Sequence, residues 1–325
     1  MHKKTTFLKT LACAALSSFI FCSCSDGSGK NAKLKTIAVL SYPVDEWVRA
    51  ITDGVEDVFE ISAIIPASGR LHTFQPAASD LAKIAKADLF IFNDGPSDAW
   101  AGDAVCKLGK PAFNVCSISS ILHDSGFCES HGKKCEDCNC HHHDHHHDHR
   151  HDMCDEHFWL SLNRSSRIIC ELAERIAALD PGHAAEYKAN AASYSKRLEE
   201  LDKSFSAFIS TNKCRKIVFA DSFPFSIFFQ EHSIQYTAAM SGCTADAEVS
   251  FSTLNNLAKA VDSGKLQYIF TLESSNKPLA RTVIELTKAK NAAILTVNPL
   301  ESRIGGCSYI DAMNRNIETF KKALK

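Results

Sequence analysis

The chain has 325 residues, of which 45% are hydrophobic and 23% are charged. These proportions exclude a disordered chain, and the length predicts two compact lobes rather than one small core. The 36 Lys and Arg residues and the 38 Asp and Glu residues give a net charge of −2, which argues against a nucleic-acid partner. The unusual counts are 15 His and 14 Cys, and many of these residues are concentrated in one internal segment.

The N-terminal segment predicts an export signal. Several lysines precede an apolar run over residues 11–21, which is too short to span a bilayer of about 30 Å and is typical of a secretory signal. A small residue directly before Cys24 resembles a bacterial lipobox, although Phe21 replaces the usual Leu. We predict a signal peptide over 1–23, lipidation at Cys24 and a flexible membrane tether over 24–35. A cleaved signal without lipidation is the alternative.

Short apolar runs alternate with helical patterns in the next part of the chain. This alternation predicts parallel strands joined by crossover helices, and we assign it to an N-terminal α/β lobe over residues 36–160. Strands are expected at 36–42, 60–66, 88–93 and 111–118, and helices at 43–50 and 80–87.

A Cys- and His-rich segment over residues 128–154 interrupts this pattern. It has no apolar periodicity and cannot bury a core, so we predict a mobile loop. Imidazoles and thiolates are ligands that zinc and other late transition metals prefer, and their dense spacing predicts several labile sites. A purification tag is the alternative, but the internal position and the interspersed Asp and Cys residues argue against it. The expected auxiliary ligands are Cys135, Cys138, Cys140, His141, His142, His143, His145, His146, His147, His149 and His151.

The second half begins with a long helix. Apolar residues recur at alternating steps of four and three from Tyr187 to Phe208, which predicts a helix of about eight turns. We place it in a helical region over 161–212 and expect it to bridge the two lobes. A C-terminal α/β lobe over 213–325 follows. Its strands are expected at 216–220, 235–240, 268–272 and 292–297, and its helices at 224–231, 253–262, 278–288 and 309–324. The predicted fold is therefore α/β, with two lobes that each contain a mainly parallel sheet flanked by helices.

Four isolated polar residues are candidate ligands of one metal ion. His72 follows a predicted strand and a glycine turn, and His157 lies between the Cys/His-rich loop and a helix. Asp221 and Glu273 end predicted strands of the second lobe, where open α/β sheets place their ligands. Each His alone would more often be structural. Together, two neutral imidazoles and two carboxylates would balance the charge of a divalent cation.

Two motifs carry a resemblance to a known family. The chain contains the segment SGRLHTFQPAASDLAKIAKADLFIFND, which resembles the first lobe of the metal-binding lipoproteins that feed zinc and manganese ABC importers. His72 matches the ligand of that family's H-x-[FY]-x-P motif, and His157 matches the ligand of its D-x-H-x-W-L motif. The segment SGCTADAEVSF resembles the stretch leading to the family's E-P-S, with Val249 in place of Pro, and SYIDAMNRNIETFKKAL resembles its closing helix. The similarity runs from about Thr36 to the C-terminus.

This resemblance implies the ligand set and leaves one ligand open. Many zinc-binding members place a third His after the first strand of the second lobe, where this chain has Asp221 followed by Ser222. We take Asp221 as the substitute and keep Ser222 as the alternative, and Glu273 corresponds to the acidic fourth position. Shells of two His and two carboxylates are also linked to manganese in this family. The adjacent Cys/His-rich loop favours Zn²⁺, because hard manganese gains little from thiolates, and Mn²⁺ is the alternative.

The resemblance also implies a function. We expect an extracytoplasmic, membrane-anchored lipoprotein that captures a divalent metal ion as a monomer and delivers it to an ABC transporter permease and its ATPase. A manganese importer subunit and a metal-buffering surface adhesin are the alternatives. The chain lacks an H-E-x-x-H motif, and four protein ligands would leave no open coordination position for catalysis. We therefore do not expect an enzyme.

Overall fold

The computed structural model describes residues 33–55, 57–115, 156–241, 249–275, 277–303 and 306–325. The predicted signal peptide, the predicted lipidation site at Cys24, most of the tether and the Cys/His-rich loop over 128–154 lie outside these residues. Within the described residues, no helix has both the length and the apolar character that a membrane crossing requires.

The N-terminal lobe is built on a parallel sheet with strand order β2-β1-β3-β4. The central strand β3 is buried throughout and β1 is buried over its last three residues, as expected for a parallel sheet with both faces covered. Its described strands are β1 (Lys35–Val39), β2 (Phe59–Ala63), β3 (Leu89–Phe92) and β4 (Ala112–Asn114). Its described helices are α1 (Tyr42–Ile51), α2 (Ala78–Lys86) and α3 (Ala99–Leu108).

The C-terminal lobe repeats this topology, with parallel strands in the order β6-β5-β7-β8. In each lobe, the first strand therefore lies between the second and the third. The first and third strands are the central pair, β1 and β3 in one lobe and β5 and β7 in the other. Their carboxyl ends form a switch point, where open α/β sheets bind ligands. The described strands of the C-terminal lobe are β5 (Lys216–Phe223), β6 (Gln235–Ser241), β7 (Tyr268–Leu272) and β8 (Ala293–Val297). Its described helices are α6 (Ser226–Glu231), α7 (Phe251–Gly264), α8 (Pro278–Leu286) and α9 (Tyr309–Ala323).

Two antiparallel helices connect the lobes, α4 (Leu162–Leu179) and α5 (Ala184–Thr211). The 28 residues of α5 contact α1 in the first lobe and α9 in the second, so the predicted bridging helix is confirmed. A 3₁₀ turn at Pro181–His183 leads into α5. Asp180 accepts hydrogen bonds from the side chains of His183 and Tyr187 at this turn. Its carboxylate therefore accepts no backbone N–H of the turn, although Asp180 occupies the N-cap position.

The lobes share one continuous apolar core. Trp47 of α1 is fully buried and packs edge-on against Tyr309 of α9, with ring centroids 5.3 Å apart. Trp159 of the first lobe donates its indole N–H to the carbonyl of Pro299 in the second. Because burial of a large apolar side chain is worth about 1.5–3 kcal/mol, this shared core favours a fixed arrangement of the two sheets. The predicted fold is confirmed.

Candidate metal centre

The two predicted histidine ligands lie side by side. His72 lies in a 3₁₀ turn at Leu71–Thr73 that follows β2, and His157 directly precedes the 3₁₀ turn at Phe158–Leu160. Their Nε2 atoms are 3.1 Å apart, and His157 is only 3% exposed. The structure therefore brings together two residues that are 85 positions apart in the chain.

A carboxylate of the C-terminal lobe, Glu301, completes this group. Its Oε1 atom lies 3.4 Å from Nε2 of His72, and its Oε2 atom lies 3.3 Å from Nε of Arg70. In a tetrahedral zinc site with metal–ligand bonds of 2.0–2.1 Å, neighbouring ligand atoms are about 3.3 Å apart. The separations from His72 to His157 and to Glu301 match the edges of such a tetrahedron.

The other ring nitrogen of His72 faces acceptors. Ser97 donates its backbone N–H to Oε2 and its hydroxyl to Oε1 of Glu156, and the Nδ1 atom of His72 lies 2.6 Å from the Ser97 oxygen and 3.1 Å from Oε1 of Glu156. Since a carboxylate only accepts hydrogen bonds, this network assigns the proton to Nδ1. The Nε2 lone pair of His72 is then directed towards His157 and Glu301, as metal binding requires.

Gly95 allows Glu156 to approach this network. A Cβ atom at Gly95 would lie 2.5 Å from Oε2 of Glu156, so any larger residue there would displace the carboxylate. The ligand atoms of His72, His157 and Glu156 all lie within 4.8 Å of one another. Glu156 nevertheless contacts the Nδ1 side of His72 and is held by Ser97, so Glu301 is the carboxylate on the Nε2 side.

Both carboxyl groups are ionised at neutral pH. Burial opposes ionisation of Glu156, but hydrogen bonds with His72 and Ser97 outweigh it and hold the pKa of this carboxyl below its usual range. Burial also opposes ionisation of Glu301, but when His72 is protonated its hydrogen bond and its charge, together with the charge of Arg70, lower the pKa of the Glu301 carboxyl. The site therefore offers a negative charge beside two imidazoles, which suits a divalent cation.

The two carboxylates expected from the strand ends are engaged elsewhere. Asp221 accepts the backbone N–H of Ser222 at 2.9 Å through one oxygen and that of Leu272 at 3.1 Å through the other. Glu273 is exposed and accepts the side-chain amide of Asn298 at 3.1 Å. These bonds link neighbouring strands at the switch point of the second sheet.

Sequence reasoning missed Glu301 and the roles of Glu156 and Ser97. Glu301 follows β8 in the segment NPLES, so it occupies a strand-end position of the kind that singled out Asp221 and Glu273. Glu156 directly precedes His157 in the chain. The signal for Glu301 was therefore present in the sequence, but nothing in its neighbours distinguished it from the other strand-end carboxylates.

Comparisons with known proteins identify relatives of the whole described chain. The family model described as ZnuA, zinc-uptake complex component A, periplasmic, matches residues 37–323. The zinc-binding lipoprotein AdcA of Streptococcus pneumoniae is 26% identical over 321 residues, which cover 96% of this chain and 60% of AdcA. The high-affinity zinc uptake system protein ZnuA of Bacillus subtilis is 27% identical over 334 residues, which cover 100% of this chain and 99% of that protein. The chain thus spans about three fifths of the length of AdcA.

Solved structures agree on the fold. The laminin-binding protein Lmb of Streptococcus agalactiae superposes with a TM-score of 0.71 at 19% identity, covering 90% of this chain and 100% of Lmb. The Zn(II)-bound ZnuA-like domain of Streptococcus pneumoniae AdcA gives a TM-score of 0.67 at 22% identity, covering 90% and 99%. With the family match over nearly all of its described residues, this chain belongs to the ZnuA family of periplasmic zinc-uptake components.

Proposed function

We propose that this chain captures Zn²⁺ outside the cytoplasm and delivers it to an ABC importer. The observation that carries the proposal is the position of His72, whose Nε2 atom lies 3.1 Å from Nε2 of His157 and 3.4 Å from Oε1 of Glu301. Membership of the ZnuA family supports it, and the relatives AdcA and ZnuA are themselves named as zinc-binding and zinc-uptake proteins.

We propose His72, His157 and Glu301 as the protein ligands of the captured ion. Asp221 and Glu273 were the carboxylates expected from sequence, and we now rank them below Glu301. Each oxygen of Asp221 already accepts a backbone N–H group, so Asp221 is held to its own sheet and keeps only one lone pair per oxygen for a metal ion. Glu301 instead directs one oxygen towards Nε2 of His72.

The donor set favours zinc over manganese. Two imidazole nitrogens and one carboxylate oxygen suit a tetrahedral zinc ion, whereas manganese prefers sites richer in oxygen. The Cys/His-rich loop over 128–154 supports the same choice through its composition. We propose that this loop gathers zinc near the site formed by His72, His157 and Glu301, since His157 lies only three residues after the end of the loop.

A carrier fits the site better than a zinc hydrolase does. Three protein ligands leave room for a water molecule, and a hydrolase would also need a base beside that water. Glu156 is the nearest further carboxylate, but it accepts two hydrogen bonds from Ser97 and contacts Nδ1 of His72. Its place in the network favours a role in orienting His72.

The partners follow from this proposal. A membrane permease and its ATPase would receive the ion, and a lipid on Cys24 would keep the monomeric binding protein close to them. The solved structure of Lmb is described as that of a bifunctional protein with adhesin and metal transporting activity. Adhesion is therefore the second candidate, and binding to immobilised laminin in the presence and absence of zinc would test it.

Metal analysis of the untagged protein with and without residues 128–154 tests the capture proposal. We expect deletion to lower the number of zinc ions bound and to preserve one tight site. Ligands on a flexible loop must be ordered on binding at an entropic cost, whereas His72, His157 and Glu301 are already held in place. Cells that carry the deletion should import zinc normally unless zinc is scarce. Loss of the tight site in a folded deletion variant would contradict this division, and tighter binding of Mn²⁺ than of Zn²⁺ would reverse the choice of metal.

A further inference from the structure

The segment that carries Glu301 is attached to the opposite lobe on both sides of that residue. We call residues 299–303 the crossing segment. Before Glu301, the carbonyl of Pro299 accepts the indole N–H of Trp159 at 2.9 Å. After it, the backbone N–H of Arg303 donates to the carbonyl of Ala67 at 2.8 Å. The crossing segment therefore leaves the second lobe, lies along the first and presents Glu301 there.

The backbone of the crossing segment turns sharply before Glu301. Leu300 has a φ of 55° and is fully buried, and its N–H donates to the side chain of Asn298 at 2.7 Å. A residue other than glycine rarely adopts such a conformation, which costs about 1 kcal/mol or more. Contacts elsewhere must therefore hold the crossing segment in place.

Glu46 of α1 supplies a further set of these contacts. One of its oxygens accepts the backbone N–H of Tyr309 at 2.6 Å, at the start of α9, and the hydroxyl of Tyr194 on α5 at 3.5 Å. The other accepts the hydroxyl of Tyr42 at 2.8 Å and lies 3.3 Å from the guanidinium of Arg303. One carboxylate thus joins α1 to the bridging helix, to α9 and to the crossing segment.

The surroundings of Glu46 make these contacts stronger than ordinary surface pairs. Its side chain is only 12% exposed, and a carboxylate in that position must be paired to be tolerated. The guanidinium of Arg303 also lies over the ring of Tyr42, 5.5 Å from its centroid. The N-terminus of α9 adds a further favourable interaction with a negative charge.

We propose that Glu46 and Arg303 are positioning residues of the metal site, which hold the crossing segment so that Glu301 meets His72 and His157. The proposal rests on the proposed function, because it requires Glu301 to be a ligand. Neither residue contacts the ion. Their contribution is to order Glu301 before the ion arrives, which removes an entropic cost from binding.

The proposal also explains how an ion could leave. Both histidines belong to the first lobe, and Glu301 alone belongs to the second. Separation of Arg303 from Glu46, together with loss of the bonds to Trp159 and Ala67, would free the crossing segment and withdraw Glu301, while His72 and His157 keep their places. The ion would then be held by two neutral ligands only, and its dissociation would be faster.

A double-mutant cycle with Glu46→Gln and Glu301→Gln tests the proposal in the untagged full protein. Zinc affinity is measured against a chelator strong enough to empty all but the tightest site, with the unfolding temperature of the metal-free protein recorded in parallel. We expect Glu301→Gln to weaken binding more than Glu46→Gln, which should weaken it about tenfold. Added to Glu301→Gln, the Glu46 change should cause no further loss of affinity, since it acts only through Glu301.

Other outcomes separate the two proposals. If Glu301→Gln leaves the affinity unchanged, the proposed ligand set is wrong. Suppose instead that Glu301→Gln weakens binding. If Glu46→Gln then lowers the zinc affinity equally in the wild-type protein and in the Glu301→Gln variant, or lowers it in neither, Glu46 is not a positioning residue. Glu174→Gln is the matched control, because Glu174 is 57% exposed and pairs with Lys188 on the surface.

Arg303 gives a second test should Glu46→Gln not fold. The Arg303 side chain is 42% exposed, so its replacement should be tolerated. Arg303→Gln should weaken zinc binding only when Glu301 is intact, and Arg303→Lys should recover part of the loss because the charge beside Glu46 returns. Equal losses for Arg303→Gln with and without Glu301 would overturn the positioning role.

Discussion

The two lobes have the same strand order, but they contribute to the proposed metal site in different ways. The first lobe supplies both histidines from short 3₁₀ turns or their edges, whereas the second supplies Glu301 through a segment that lies along the first lobe. The strand-end carboxylates Asp221 and Glu273 of the second lobe instead bond to groups of their own sheet. A place at the carboxyl edge of a sheet thus does not by itself single out a ligand, because such a group can instead bond within its own sheet.

Removal of a histidine should have the largest effect. We expect His72→Ala or His157→Ala to weaken zinc binding at the tight site by more than about a hundredfold, which exceeds the loss typical of groups around the ligands. Competition with a chelator measures this. His183→Ala is the matched control, because His183 pairs with Asp180 at the start of α5 and its side chain is 45% exposed. Unchanged affinity in either ligand variant would remove that histidine from the site.

Carboxylate replacements should sharpen the contrast between the lobes. We expect Glu301→Gln to weaken zinc binding by at least about tenfold, because a charged ligand becomes a neutral amide. Glu273→Gln should leave the affinity nearly unchanged, and Asp221→Asn should mainly lower the unfolding temperature of the metal-free protein, since Asp221 joins β5 to β7. Isothermal titration and thermal unfolding separate the two effects. A greater loss of affinity for Asp221→Asn than for Glu301→Gln would restore the ligand expected from sequence.

The sequence was sufficient for most of the fold because local patterns determine its elements. The strand predicted at 268–272 is β7 without change. Where boundaries differ, a local cause is visible. The first strand was expected to reach residue 42, but α1 already begins at Tyr42, since Pro43 suits the first turn of a helix. β5 was expected to end at 220 and continues to Phe223 across an irregularity in its pairing with β6.

The proposed site was less predictable because the position of one of its members, Glu301, depends on distant contacts. His72 and His157 lie in short motifs, so their positions could be read from sequence. Glu301 reaches them only through the left-handed turn at Leu300 and the bonds to Trp159 and Ala67. Both partners are more than 100 residues away in the chain, and no local pattern reports such a contact.

Substitution of Ser97 should cause the smallest of the predicted losses of zinc affinity. Its hydroxyl lies between Nδ1 of His72 and the carboxylate of Glu156, so Ser97→Ala removes one group that fixes the orientation of the imidazole. We expect an affinity loss of up to about tenfold, at the lower end for such outer groups, because Glu156 would still lie 3.1 Å from Nδ1.

The comparison of Ser97→Ala with Ser97→Thr then distinguishes orientation from packing. Threonine keeps the hydroxyl, so we expect it to retain most of the zinc affinity that alanine loses. If alanine and threonine weaken binding equally, the hydroxyl has no part in orienting His72. If alanine has no effect at all, Glu156 alone holds the ring, and the network in the first lobe is simpler than its geometry indicates. In either case the histidines would still be fixed within one lobe before the second lobe contributes its carboxylate.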